Sequence, residues 1–282
     1  MEQSFRSRSL CIDDISREVL KLIVALGGYC TAQQARFLLN VGPGLPMRAR
    51  LRTLQRLGFL RRVTKYPVVY QATKATTRLL GRDSSTRRRH TLATVQARLL
   101  GVHFYLEARP WPTSFVFDHE KKIEVFEYIE CPLSVLPQRD GKPYLRENFL
   151  FWLPDFRVAI AMIDQPGPGE FVRLRVFLRQ FLPLLRSCPN EMVDLFIVTP
   201  DQRRRFAYQK LLQRSRAILK LGVGPFLGRV KPFSVRPPVP TIIETIWPSA
   251  DKYDESADLI EDSDDSSDGH SGHKSLFRPI GE

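Results

Sequence analysis

The sequence predicts an α/β protein with an N-terminal winged helix-turn-helix and a C-terminal α/β domain. In residues 12–81, hydrophobic residues recur with helical spacing over three segments and then with strand spacing over two. In residues 90–248, helical and strand-like segments alternate, which is typical of the α/β class. The length of 282 residues suits two domains, and a hydrophobic content of 43% is ample for buried cores.

The first two helices of the N-terminal domain are marked by residues that begin and end helices. Asp13 or Asp14 can cap the first helix, and the Gly27-Gly28 pair is expected to end it. Thr31 and Gln34 have the spacing of a capping box, in which each side chain accepts a backbone N–H of the other residue. The sequence therefore predicts a second helix directly after Thr31.

A third helix is predicted over residues 46–57, because proline suits a first helical position, where its missing N–H has no partner to lose. Helical spacing puts apolar side chains on one face of this helix and basic or amide side chains on another. The apolar face carries Met47, Leu51 and Leu54, and the polar face carries Arg48, Arg52, Gln55 and Arg56.

A β-hairpin is predicted after Gly58, where the hydrophobic period changes from helical to alternating. Its strands are residues 59–64 and 68–72, and its basic side chains are Arg61, Arg62 and Lys65. Three helices followed by a hairpin is the order of a winged helix-turn-helix, in which the last of the three helices enters the DNA major groove.

The charge distribution favours a nucleic-acid partner. Residues 1–90 hold 18 Lys and Arg against 5 Asp and Glu, whereas residues 250–282 hold 3 against 10. We therefore expect double-stranded DNA binding, with Arg48, Arg52 and Gln55 reaching base edges, supported by Arg56, and with Arg61, Arg62 and Lys65 on phosphates. The alternative is a winged helix that binds a protein, with its arginines merely solvated.

Three further segments lie outside the predicted domains. Residues 1–11 form a basic N-terminal arm, and residues 82–89 form a basic linker that either follows a phosphate backbone through Arg87, Arg88 and Arg89 or serves as a hinge. Residues 249–282 are acidic and rich in serine, and we expect them to be disordered because they offer too little apolar surface to offset the entropy of ordering.

The α/β domain begins with a helix led by His90, which proline residues end near residue 110. The capping-box pattern Thr199-Pro200-Asp201-Gln202 predicts an arginine-rich helix after the last buried strand. Strands are expected at residues 114–117, 123–129, 171–177, 193–198 and 241–247, and a turn that leads into a strand at residues 149–160. A further helix, interrupted at Pro183, is expected at residues 178–187.

The chain resembles the replication-relaxation family of plasmids and integrative elements over residues 12–220. The resemblance is carried by the block Val69-Tyr70-Gln71-Ala72-Thr73-Lys74, by His90-Thr91-Leu92, by Leu153-Pro154-Asp155, and by Leu195-Phe196-Ile197-Val198-Thr199. It implies a winged helix joined to a domain similar to a PD-(D/E)XK, restriction-endonuclease-like core. It also implies a role in replication, mobilisation or regulation of a mobile element, with replication or transfer proteins as possible partners.

A metal-dependent nuclease is the alternative function. Asp155 and Glu170 are the weak candidates for its catalytic carboxylates, and Mg²⁺ would be its cofactor. The segment of residues 171–177, read as a strand, presents Arg173 and Arg175 where a second carboxylate and a lysine are needed, and arginine cannot ligate a cation. A nuclease-derived binding domain with Arg173 and Arg175 on phosphates fits these residues better.

The remaining expectations concern compartment and cofactors. The four cysteines have no metal-ligand spacing, so we expect reduced thiols and neither a zinc site nor a disulfide framework. No apolar run is long enough for a membrane span and no secretory signal is evident, so a cytoplasmic protein without a membrane partner or a cofactor is expected. The sequence does not predict the oligomeric state.

Overall fold

The computed structural model describes residues 4–42, 45–81, 90–145, 148–167, 169–188 and 191–235. Helices and strands are both abundant in these residues, which confirms the α/β class. The predicted linker of residues 82–89, the strand of residues 241–247 and the acidic tail lie outside the described residues. No described helix is both long and apolar enough to cross a bilayer.

The N-terminal part contains five helices and a three-stranded antiparallel sheet with the strand order β1-β3-β2. Asp13 caps α2 by accepting the backbone N–H of Ser16, and Thr31 and Gln34 form the predicted capping box at α3. The elements are α1 (Phe5–Leu10), α2 (Asp14–Ala25), β1 (Tyr29–Thr31), α3 (Ala32–Leu38), α4 (Met47–Arg56), β2 (Leu60–Thr64), β3 (Val69–Ala72) and α5 (Lys74–Leu79).

Two expectations for this part need correction. Pro46 has a ψ of 66° and is the N-cap of α4, not its first helical residue, and its carbonyl accepts the N–H of Arg50. Residues 1–11 were expected to form an N-terminal arm, but residues 5–10 form helix α1. This helix packs on the N-terminal core, where the rings of Phe5 and Phe59 have centroids 6.3 Å apart. The guanidinium of Arg8 also donates to the carbonyl of Leu57 at 3.0 Å.

The rest of the described chain is a five-stranded mixed sheet with helices on both faces. The strand order is β10-β9-β8-β7-β4, with antiparallel pairing from β4 to β8 and parallel pairing from β8 to β10. The elements are α6 (Leu92–Ala108), β4 (Ser114–Val116), α7 (His119–Tyr128), β5 (Gln138–Arg139), β6 (Lys142–Pro143), β7 (Phe149–Trp152), β8 (Val158–Ile163), α8 (Glu170–Ser187), β9 (Val193–Thr199), α9 (Gln202–Arg214), α10 (Arg216–Leu219) and β10 (Val230–Ser234).

Alternate residues of the strands face two different cores, as the pleat of a sheet requires. Leu150, Ile160, Leu195 and Ile197 face the core that contains α7, α8 and α9. The intervening residues, Phe151, Ala159, Ala161, Phe196 and Val198, face α6. Helix α6 therefore covers one face of the sheet, and α7 to α9 cover the other.

Helix α6 also contacts the N-terminal part. Leu99 lies in one apolar cluster with Tyr29 and Val69, and Val102 lies in another with Leu26 and Leu38. Polar contacts run alongside: Gln34 Nε2 donates to the Leu99 carbonyl at 3.0 Å, and Arg109 Nη1 donates to the Leu38 carbonyl at 2.9 Å. Helix α6 thus contributes to three apolar clusters, one with the large sheet and two with the N-terminal part.

Two predicted strands are helices. Residues 123–129 fall largely in α7, where Asp118 caps the first turn by accepting the N–H groups of Glu120 and Lys121. Residues 171–177 lie in α8, which continues through Pro183. The alternation of apolar and basic residues in 171–177 suggested a strand, but the buried residues of α8 recur with helical spacing over 18 residues.

Two smaller expectations were also wrong. The cap of α9 is Asp201, whose carboxylate accepts the N–H of Arg204, whereas the Thr199 hydroxyl donates to backbone carbonyls. Cys131 and Cys188 form a disulfide that connects the segment after α7 to the end of α8. Both cysteines are buried, and the packing of the segment after α7 against the end of α8 brings the two thiols together.

Candidate nucleic-acid interface

The polar face of α4 is exposed, as the sequence predicts. Arg48, Arg52, Gln55 and Arg56 are exposed, while Met47, Leu51 and Leu54 on the opposite face are buried. Burial of the apolar face in the N-terminal core fixes the rotation of the helix about its axis. The basic face is therefore held toward solvent.

Arg50, on the same helix, has a different role. Its guanidinium forms an ion pair with Asp13 and donates to the Ser16 hydroxyl at 2.9 Å. The side-chain hydrogen bonds from Arg50 and Ser16 lower the pKa of Asp13 to about 2. Arg50 thus attaches α4 to the first turn of α2, whereas its neighbours Arg48 and Arg52 extend into solvent.

A groove of about 980 Å³ lies between α3, α4 and the β2–β3 hairpin. Arg36 of α3 and Arg48 and Arg52 of α4 line it, and Tyr66 and Pro67 at the hairpin tip form its far wall. The Tyr66 side chain is 91% exposed. Three guanidinium groups and an exposed phenol therefore surround one concave surface.

The three basic residues predicted for the hairpin are not equivalent. Arg61 donates to Gln71 Oε1 at 2.8 Å, and Arg62 donates to the carbonyls of Thr64 and Lys65. These bonds brace the hairpin, so both arginines help to hold its shape. Lys65 is exposed beside Tyr66 at the tip, where a phosphate can reach it.

Helices α3 and α4 and the β2–β3 hairpin, which surround the groove, carry no acidic residue. The sequence contains no Asp or Glu between Glu18 and Asp83, a stretch that includes α3, α4 and the hairpin. The positive charge there is consequently not neutralised by carboxylates from the same elements. Such a surface attracts a polyanion over distances comparable to the Debye length.

The structure gives less support to the candidate phosphate-binding arginines outside the N-terminal part. Arg87, Arg88 and Arg89 lie outside the described residues. On helix α8, residues two positions apart point about 200° apart, so Arg173 and Arg175 do not share a face as they would on a strand. Arg173 donates to the carbonyls of Gln165 and Gly167 and lies 3.6 Å from Asp164.

The two candidate catalytic carboxylates are far apart. Asp155 is exposed in the turn between β7 and β8, where its φ is 67°. Glu170 follows the opposite end of β8, and its carboxylate is 2.9 Å from Arg204 Nη1. The six residues of β8 separate the two ends by roughly 17 Å at about 3.3 Å per residue. Ligands of one Mg²⁺ lie within about 2.1 Å of it, so Asp155 and Glu170 cannot share an ion in this arrangement.

A buried ionic cluster, which sequence reasoning missed, lies at the end of β8. Asp164 is fully buried and accepts hydrogen bonds from Arg204 and from the hydroxyl of Tyr208 at 2.7 Å. Burial alone would lower the pKa of Arg204, but the hydrogen bonds and charge of Asp164, helped by Glu170, raise it above its usual value. Burial, reinforced by the charge of Asp164, raises the pKa of Tyr208.

This cluster is a structural lock between β8, α8 and α9. Arg204 and Tyr208 of α9 both donate to Asp164, and Arg204 also pairs with Glu170 of α8, so these groups stabilise the packing of the three elements. One signal could have revealed it: Arg204, Tyr208 and Leu212 recur every four residues and so share the buried face of α9. The run Arg203-Arg204-Arg205 alone does not show which of the three arginines is buried.

Comparison of the chain with the profiles of protein families, with curated proteins and with solved structures finds no match. Among the described residues, no group of three or more His, Cys, Asp or Glu is arranged to hold a metal ion.

Proposed function

We propose that residues 12–81 form a winged helix-turn-helix that binds double-stranded DNA. Helix α4 enters the major groove, and the β2–β3 hairpin contacts the adjacent backbone or groove. The resemblance to the replication-relaxation family extends this proposal to a protein that serves replication, mobilisation or regulation of a mobile element. In this proposal the α/β part, which the resemblance relates to a nuclease-like fold, acts in binding, because the described positions of Asp155 and Glu170 do not allow them to share one metal ion.

The observation that carries the proposal is the exposed basic face of α4 beside the groove. Arg48 and Arg52 are one helical turn apart, both line the groove, and their guanidinium groups are solvent-exposed. An α-helix with its side chains is about 10–12 Å in diameter, which suits the roughly 12 Å width of the major groove. Arginine is the side chain that most often reads guanine there, through paired hydrogen bonds to O6 and N7.

The other groups of the surface take supporting roles in this proposal. Gln55 reaches a base edge and Arg56 a phosphate further along α4. Lys65 contacts a phosphate at the hairpin tip, while Arg61 and Arg62 keep the hairpin rigid. Arg36 adds a third cation to the groove from α3.

The first prediction tests this surface by the double substitution Arg48→Ala with Arg52→Ala. We expect duplex affinity to fall at least about 10-fold. We also expect the slope of log affinity against log salt to change by less than about 1, because the proposal places both arginines on base edges and not on phosphates. Fluorescence anisotropy with a labelled duplex at several salt concentrations measures both quantities.

The matched control is Arg17→Ala with Lys21→Ala, which removes two exposed positive charges from α2, outside the groove. It should leave duplex affinity within about 2-fold of the wild-type value. Equal losses for the two double variants would show that net charge alone drives binding. Absence of measurable duplex binding by the wild-type protein at low salt would refute the proposed function.

A further inference from the structure

A second basic surface lies on α9 and α10, on the face of the sheet opposite α6. Its side chains on α9 recur at intervals of three or four residues and therefore share one face of the helix. We call this the α9 surface and define it by the exposed residues Arg203, Phe206, Lys210, Arg214, Arg216 and Lys220.

The buried cluster fixes the orientation of this surface. Arg204 and Tyr208 hold Asp164 on the inner side of α9, and Leu212 packs in the core below. The opposite side of α9 must then face solvent, because a helix cannot rotate about its axis while these bonds hold. The α9 surface is thus a consequence of how α9 is anchored.

The described residues of α9 and α10 include basic but no acidic side chains. The sequence contains no Asp or Glu between Asp201 and Ser234. The α9 stripe from Arg203 to Arg214 is about 17 Å long. A stripe of this length can contact several consecutive phosphates of one strand, which are spaced about 3.4 Å apart along a stacked strand.

An aromatic ring lies in the middle of the positive charge. The Phe206 side chain is 57% exposed, although phenylalanine usually contributes to a core. The guanidinium of Arg205 lies 5.0 Å from the centroid of the ring. Cations interleaved with an aromatic ring are the pattern of proteins that bind single strands, in which phosphates meet the cations and a base stacks on the ring.

We infer that the α9 surface binds single-stranded nucleic acid. A duplex fits this surface less well, because its bases are stacked inside the helix and cannot cover Phe206. An acidic protein would also satisfy the cations, but cations that alternate with an exposed ring are the pattern of single-strand binding, and on this ground we commit to the single strand. The inference is independent of the duplex-binding surface on α4, since the two surfaces share no residue.

The second prediction tests the inference with two variants of the full chain. Phe206→Ala should weaken binding of fluorescein-labelled (dT)20 by about 5-fold or more, with an unchanged salt slope, because stacking involves no counterion release. The triple variant Arg203→Ala, Lys210→Ala, Arg214→Ala should weaken binding and reduce the salt slope by about 2. Phe206→Tyr should bind (dT)20 as tightly as the wild type, because a tyrosine ring also stacks on bases.

The controls separate this surface from the one on α4. Each variant is also made in the Arg48→Ala, Arg52→Ala background, so that binding at α4 cannot conceal a loss at α9. Tyr128→Ala removes another exposed ring, 70% exposed on α7, and should change nothing. A parallel titration with (rU)20 shows whether the strand is DNA or RNA.

Three results would overturn the inference. Phe206→Ala could bind (dT)20 like the wild type, it could weaken duplex and single strand equally, or Tyr128→Ala could cause the same loss. Failure of the duplex proposal is distinguishable, since it would appear as unchanged duplex affinity in the Arg48→Ala, Arg52→Ala variant.

Discussion

Arginine serves opposite purposes in this molecule according to the direction in which its Cα–Cβ bond points. Arg48 and Arg52 extend into solvent, whereas Arg50 between them is bonded to Asp13 and Ser16. The same division separates the exposed Arg203 from the buried Arg204. In both cases the rotation of a helix about its axis, fixed by its buried residues, decides which arginine is exposed and which is buried in the fold.

The third prediction concerns His103, a buried residue of α6 without a visible function. Its side chain is 2% exposed, and within the described residues neither ring nitrogen has a hydrogen-bond partner. Burial lowers the pKa of His103 to about 4 from its ordinary value of 6.5. The unfolded chain therefore takes up a proton at this residue between about pH 6.5 and pH 4, and the folded protein does not.

The free energy of unfolding therefore decreases as the pH falls, because the unfolded chain binds the additional proton. The contribution of neutral His103 to the free energy of unfolding is fully present above about pH 6.5. It is lost as the pH falls toward 4, and the loss is about 3 kcal/mol at most. His103→Leu should abolish this loss, so that the variant gains stability relative to the wild type as the medium is acidified. Urea unfolding at pH 7.5, 6 and 5 measures the difference.

Leu100→Ala, a buried residue on the same helix, is the control. It should lower the free energy of unfolding by a similar amount at each pH, because it removes no titrating group. A pH-independent difference between His103→Leu and wild type would contradict the prediction.

At the scale of elements, the sequence predicted helices and their buried faces best where local signals and burial agree. The capping box at Thr31 and the amphipathic pattern of α4 both appear in the structure because each is decided within a few residues. The exposed basic face of α4 could be located for the same reason. Helix α8 was misread because a window of seven residues shows Val172, Leu174 and Val176 alternating with arginines, while the buried stripe becomes clear only over the whole helix.

The buried cluster at Asp164 and the disulfide could not be predicted in this way. Asp164 and Arg204 are 40 residues apart, and they meet only because β8, α8 and α9 pack together. Cys131 and Cys188 are separated by 57 residues, and their pairing depends on how the segment after α7 meets the end of α8. Contacts of this kind are set by tertiary packing, which one sequence does not display.

The fourth prediction concerns this disulfide as a connection between elements. Closing a loop of this size restricts the unfolded chain, so its removal should lower the free energy of unfolding by up to about 4 kcal/mol. Cys131→Ser with Cys188→Ser should therefore unfold at a lower urea concentration than wild type. Titration of unreduced wild-type protein in denaturant should find two reactive thiols, Cys11 and Cys30.

Cys11→Ser is the control, because Cys11 is exposed and outside the disulfide. It should leave the urea midpoint unchanged and reduce the thiol count by one. Four reactive thiols in the unreduced wild type would instead agree with the original expectation from the cysteine spacing.

At the scale of the whole molecule, α6 determines how the two halves depend on each other. The sequence suggested separate domains at residues 12–81 and 90–248, joined by a linker. The structure places Leu99 and Val102 of α6 against the N-terminal helices and sheet, and Leu100 and Phe104 against the large sheet. Neither half can bury its own apolar surface fully without this helix, so we expect the two to unfold together.

The fifth prediction tests this coupling with one core substitution in each half. Leu51→Ala lies in the N-terminal core and Leu195→Ala in the core of the large sheet, and each should lower the free energy of unfolding by about 2–5 kcal/mol. If α6 couples the halves, each substitution should speed hydrogen exchange of the slowest amides in α2 and in β9 by the same factor. Exchange that accelerates only in the half carrying the substitution would mean that the contacts of α6 are too weak to unite them. Equal acceleration would mean that a duplex bound at α4 also stabilises α9, because ligand binding to the folded state opposes every unfolding step that destroys its site.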